Sequence, residues 1–150
     1  MTDLSATPRL SLPLLATAQA QKEVTHNEAL VLIDALVQMA VVDGPQSDPP
    51  AAPTPGDAWL VGAAATGVWA GQDMTIAIWT AGGWRFVVPR AGMRAARLSD
   101  GVMLRFAAGL WVAPDSVAVP VGGGTVDDEA RAAIAAVILA LAAQGLMIPS

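Results

Sequence analysis

The sequence predicts an α+β fold: a small antiparallel β meander with an extended N-terminal arm and helix before it and an apolar C-terminal oligomerisation helix after it. Three observations predict it. Over residues 74–88 apolar side chains occupy both parities and the chain reverses at Ala81-Gly82-Gly83; after Thr25 apolar residues recur at helical spacing; and an uncharged run, 132–143, follows three glycines.

The β module is placed at 57–118. Met74, Ile76 and Ile78 on one parity and Thr75, Ala77 and Trp79 on the other give a strand apolar on both faces, the pattern of a central strand covered on both sides. The glycine pair tolerates positive φ, and Trp84-Arg85-Phe86-Val87-Val88 runs back to complete a hairpin. Pro89 has no donor for a ladder and ends the pairing. A strand over 57–61 precedes the hairpin. Strands around 93–98, 102–106 and 110–112 follow it, joined by turns at Asp100-Gly101 and Ala108-Gly109.

Residues 1–24 carry Pro8 and Pro13 among Leu10, Leu12, Leu14 and Leu15, which suits an extended arm seated in a groove of its own chain or of a neighbour. Thr25 and Glu28 have the spacing of a capping box, which places a helix start at His26 within a segment 25–42, the helix running to about Gln38 and Met39–Val42 either extending it or beginning a strand. Leu30, Ile33, Leu36 and Val37 share one face of that helix, and Glu28 and Asp34 lie off it. Residues 43–56 hold five of the eleven prolines and read as a stiff connector. Residues 119–124 read as a glycine hinge, and 125–150 as a helix, from about Asp127 to Gln144, with an apolar tail. Ile134, Val137, Ile138 and Leu141 are its main apolar positions, and alanine and leucine fill much of the rest. A helix apolar nearly all round is normally buried, so its expected cover is further copies of itself or a partner.

Composition narrows the function. Hydrophobic residues make up 54% of the 150 and charged ones 14%, more apolar surface than one small body hides, so a covering partner is expected. The apolar run at 132–143 falls short of the roughly 20 residues that span a bilayer, and Asp3 precedes any basic residue, which argues against a cleaved secretory signal. A net charge of −5 argues against nonspecific nucleic-acid binding; the five basic residues from Arg85 to Arg105 read as a solvated sheet face. The absence of cysteine removes disulfides and thiolate chemistry, and His26, the single histidine, reads as a helix-start residue. Asp127, Asp128 and Glu129 are explained by a helix N-terminus, and Gly122-Gly123-Gly124 lacks the lysine of a phosphate loop. No G-x-S-x-G occurs. The expectation is therefore a non-enzyme, with no catalytic residue, metal or cofactor. Trp59, Trp69, Trp79, Trp84 and Trp111 suit core packing or a sugar-stacking platform, and Trp69, between Gly67 and Gly71, is the candidate saccharide contact.

Several phrases together resemble a family of small proteins of alphaproteobacterial prophages and gene transfer agents described as a domain of unknown function. They are Thr7-Pro8-Arg9-Leu10 with Leu12-Pro13, the stretch from Gln19 through AQKEVTHNEAL to Leu30, Pro55-Gly56-Asp57, Ala65-Thr66-Gly67-Val68-Trp69-Ala70-Gly71, and Gly83-Trp84-Arg85-Phe86. AQKEVTHNEAL is the most specific. The resemblance implies a virion structural protein, and the short form with an apolar C-terminal helix looks like the base of a gene transfer agent head spike. Such a base implies a homo-oligomer, a pentamer on a capsid vertex, with capsid protein and a spike or tail fibre protein as partners and host surface polysaccharide reached through the fibre. It would be made in the bacterial cytoplasm and released by lysis. The expected assembly residues are Arg9, Leu10, Leu12 and Leu14 on the arm and Ile134, Val137, Ile138 and Leu141 on the helix. The alternative is a carbohydrate-binding receptor-recognition module of a tail or spike fibre.

Overall fold

The computed structural model describes residues 6–15 and 22–148. The rest of the predicted arm, 1–5 and 16–21, and the last two residues of the predicted tail lie outside the described residues. In chain order the elements are α1 (Lys22–Leu36), β1 (Ala40–Val41), β2 (Asp43–Gln46), β3 (Ala58–Val61), a 3-10 turn (Gly67–Trp69), β4 (Ile76–Thr80), β5 (Gly83–Val87), β6 (Arg94–Arg97), β7 (Met103–Ala107), β8 (Leu110–Val112) and α2 (Asp128–Ala143). The fold is α+β with a β-rich core.

The predicted single meander is corrected to two four-stranded sheets, ordered β2-β3-β4-β5 and β1-β6-β7-β8. Each contains an antiparallel run of three strands joined by the expected turns, plus one short parallel strand at its edge: β2 beside β3 and β1 beside β6. Both parallel strands come from residues 40–46: β1 takes the strand alternative for Met39–Val42, and β2 lies in the segment expected to be a connector. The chain thus passes from one sheet to the other at Val42, whose N–H bonds Ala58 O at 2.7 Å. Gly44 makes this possible. Its φ is +122°, and an added Cβ would overlap the backbone of Leu60.

β4 is a central strand covered on both faces, because apolar residues fill both parities. Ala58, Leu60, Ile76 and Ile78 face a core shared with Val41, Ala95, Leu104 and Trp111 of the other sheet and with Ala35 of α1. Trp59, Val61 and Ala77 face a second core with Trp69, Trp79, Trp84 and Phe86. The β4–β5 hairpin closes through Ala81-Gly82, with Thr80 paired to Gly83 and the Thr80 hydroxyl donating to Gly83 O at 2.7 Å.

Arg97 ties the sheets together. Its guanidinium donates to both Asp100 oxygens, at 3.0 and 2.6 Å, and to Gly44 O at 2.8 Å across the sheet boundary. The hydrogen bond from Arg97 is the largest cause holding the Asp100 carboxyl below its ordinary range. A depressed carboxyl stabilises the fold above its ordinary pKa, and that contribution is lost as pH falls through the lowered value. Asp100 is partly exposed, which keeps the effect under about 1 kcal/mol. Wild-type protein is therefore expected to lose slightly more stability than Asp100→Asn between about pH 5 and pH 3 in urea titrations. Equal losses would remove the pair from the pH response.

Candidate functional site

The arm is fastened to its own helix. Asp34, on the polar side of α1 and 1% exposed, accepts from the Thr7 hydroxyl at 2.8 Å and from the backbone N–H groups of Arg9 and Leu10 at 2.9 and 2.6 Å. Arg9 then donates to the carbonyls of Asp34 and Ala35, orphan acceptors in the last turn of α1 where a cation is also favoured by the helix dipole, and to that of Gln38 just beyond it. Asn27 holds the other end of the arm, accepting from Leu15 N–H at 2.9 Å and donating to Leu15 O at 3.0 Å. Pro8 packs on Gly56, where a side chain would collide with its ring. The Thr-Pro-Arg-Leu, Asn-Glu-Ala-Leu and Pro-Gly-Asp phrases are thus parts of one intramolecular lock.

Of the four arm residues expected at an interface, Leu10 is exposed, Leu12 and Leu14 are half-buried, and Arg9 is engaged within the chain as a helix C-terminal fastener. One expectation is corrected here. Thr25 and Glu28 do not cap a helix, since α1 is already helical from Lys22. Thr25 lies exposed in its second turn, and Glu28 instead pairs with Arg85 of β5 at 3.0 Å. A Thr-x-x-Glu spacing inside a helix is indistinguishable from a cap when helix-compatible residues precede it.

Trp69 is also corrected. The 3-10 turn at Gly67–Trp69 folds its indole inward until it is 0% exposed, edge-on to Trp84 at 5.2 Å. Trp59 and Trp79 meet Trp84 edge-on as well, at 5.6 and 5.0 Å. Trp84 is therefore the hub of a packed aromatic cluster, and Trp69, fully enclosed, has no face to offer a sugar ring.

The C-terminal helix presents the opposite case. Asp127 caps it, accepting from Ala130 N–H at 2.8 Å. At the far end Gly145, at φ +67°, closes a Schellman turn: Gly145 N–H bonds Ala142 O and Leu146 N–H bonds Leu141 O, at 2.9 and 3.0 Å. Gly145 O then accepts from Met103 N–H at 2.9 Å, and a Cβ at Gly145 would overlap Gly101 O, so the turn is docked on the β6–β7 connection. Of the four helix residues expected at an interface, Ile138 is buried against its own chain. Ile134 and Val137 remain 45% and 58% exposed, and with Leu141 they share the 4-3-4 spacing of one seam running from Ala130. The seam borders an all-apolar concavity of about 370 Å³ that Val117 and Met147 help to line. Val119, Val121 and Val126, on the segment leading into α2, are exposed too.

Among the described residues no group of histidine and carboxylate side chains is arranged to hold a metal, and no helix is long and apolar enough to cross a membrane.

The family of proteins of unknown function designated DUF2793 matches residues 26–112, more than half of the chain. The chain belongs to this family. The DUF2793 segment runs from the second turn of α1 to the end of β8, so it contains both sheets and both aromatic and aliphatic cores. Asp34, Gly56 and the Trp84 cluster fall inside it; the arm they hold and the exposed helix α2 fall outside it. Among curated proteins no relative matches the chain.

Proposed function

We propose that the protein is a structural component of a phage-like particle, a gene transfer agent, in which it forms the base of a head spike and joins a receptor-binding fibre to a capsid vertex. The observation that carries this reading is the α2 surface: a capped, docked helix that leaves Ile134 and Val137 exposed along one seam, next to further exposed valines. Apolar side chains held rigidly in water favour burial against another chain. The resemblance of the arm, α1 and hairpin phrases to proteins of prophages and gene transfer agents supports a particle as the place where that burial occurs. In this role the locked arm and two sheets are a stiff body, and α2 joins copies into a ring, with five copies matching a fivefold vertex. Capsid protein and a fibre protein are the neighbours. The saccharide-binding alternative loses its candidate residue with the burial of Trp69.

The test is location. In cells that make the protein, particles released by lysis and purified on a density gradient are expected to carry it, with antibody-linked gold at capsid vertices. Recovery only in the particle-free fraction would overturn the proposal, and label confined to tails would remove the head-spike assignment.

A further inference from the structure

β5 is the last strand of its sheet, and the direction of its backbone groups follows from β4. Val61 N–H bonds Thr75 O and Trp79 N–H bonds Asp57 O, so the odd-numbered residues of β4 face β3 and the even-numbered ones face β5. Ile76, Ile78 and Thr80 pair with Val87, Arg85 and Gly83, which leaves the backbone groups of Trp84 and Phe86 pointing away from the sheet. Trp84 O accepts from the Arg85 guanidinium at 3.2 Å and keeps a second lone pair. Among the described residues nothing bonds the N–H groups of Trp84 and Phe86 or the oxygen of Phe86.

The chain also carries a strand-like segment without a partner strand. Val117, Val119 and Val121 recur at the period of a strand and are 46%, 43% and 89% exposed. The segment is held at both ends: Ser116 bridges Ile148, and Arg131 of α2 donates to Gly122 O. Between those ends it makes no backbone hydrogen bond among the described residues. Val117 also lines the concavity beside the α2 seam, so the valine row continues the surface that α2 offers a neighbour.

Resting on the reading that copies of this chain associate through α2, we infer that residues 117–121 of one copy add to the outer edge of β5 in the next. The added strand is antiparallel, the pairing that is stronger per residue, with Val119 opposite Phe86. That register sets Val121 opposite Trp84 and Val117 opposite Val88, itself 69% exposed. Both rows step by two residues, so the valines fall on the face of Trp84 and Phe86, where cross-strand aromatic and β-branched pairs are favourable. Pro120 decides the parity. Between Val119 and Val121 its nitrogen points to solvent, where an edge strand tolerates proline; a slip of one residue would aim it at β5 with no hydrogen to donate. Gly122 and Gly123, both at positive φ, end the strand. The contact uses different surfaces on its two sides, the kind that closes into a ring.

Proline placement tests the ladder, since residues 118 and 119 lend no backbone hydrogen bond to the single chain. Val119→Pro removes the N–H that would bond Phe86 O. It is expected to raise about tenfold the concentration at which the assembly half-dissociates, followed by light scattering on dilution. Ala118→Pro, whose N–H would point to solvent, is expected to leave that concentration unchanged. Cross-linking reads the register. The chain has no cysteine, and bonded residues directly opposite in a ladder have Cα atoms about 5.5 Å apart, within disulfide reach. Oxidised Val88→Cys/Val117→Cys is expected to run as a series of covalent multimers on a non-reducing gel, and Val88→Cys/Ala118→Cys as single chains. Equal effects of the two proline substitutions would overturn strand addition and leave association through α2 standing. So would a wild-type assembly in which the 88–117 pair forms no multimers, or no more than the 88–118 pair. A wild-type monomer would overturn both.

Discussion

Asp34→Ala is expected to lower the stability of the chain by about 3–5 kcal/mol, since hydrogen bonds to a charged group contribute about 1.5–3 kcal/mol each and their buried donors would be left unpaired. Three donors converge on this carboxylate: the Thr7 hydroxyl, Arg9 N–H and Leu10 N–H. For a chain of this length the loss corresponds to roughly 10 °C in melting temperature. Asp34→Asn sharpens the test. All three partners donate, so one side of an asparagine amide would set its own N–H₂ against a donor, and the isosteric change is expected to cost more than half as much as alanine. Urea unfolding followed by tryptophan fluorescence measures both. An asparagine variant as stable as wild type would mean that the arm is held by packing and not by the acceptor pattern.

The second large effect is on association. Ile134→Glu with Val137→Glu changes side chains already exposed in the single chain, so each substitution should alter its stability by no more than about 0.5 kcal/mol. Across an interface the same carboxylates would be desolvated without partners, at several kcal/mol each. The variant is therefore expected to behave as a 15.3 kDa monomer with a nearly unchanged melting curve. Leu139→Glu is the control: Leu139 is exposed but about 200° around the helix from Val137, and it is expected to leave the assembly intact. If Leu139→Glu dissociated it as well as the seam variant did, the seam would not be the contact.

The parts of the fold legible in the sequence are those decided locally. The β4–β5, β6–β7 and β7–β8 turns each place a glycine at positive φ, at Gly83, Gly101 and Gly109, and each lies between apolar runs, so strands and turns can be read directly. The bounds of α2 follow from Asp127 and Gly145 for the same reason. The parallel pairings were not legible, although a strand within Met39–Val42 was one of two readings. β1 is two residues long and β2 reads Asp-Gly-Pro-Gln, with no strand preference of its own; β1 finds its partner more than fifty residues along the chain, at Ala96 and Arg97. At the candidate site, the apolar positions of α2 could be named, but only the docking of Gly145 on the β6–β7 connection decides that Ile138 turns inward and Val137 outward. Asp34 carried no signal, because an aspartate on the polar side of a helix is ordinary until an arm closes over it. Trp69 misled through its glycine neighbours, which allow a tight turn that buries the ring as readily as one that presents it.

The claim on which the rest depends is self-association, and the mass of the full-length chain in solution, measured by light scattering at two concentrations tenfold apart, tests it most directly. A constant mass equal to several multiples of 15.3 kDa at both concentrations is the predicted result. A mass of one chain at both would contradict it.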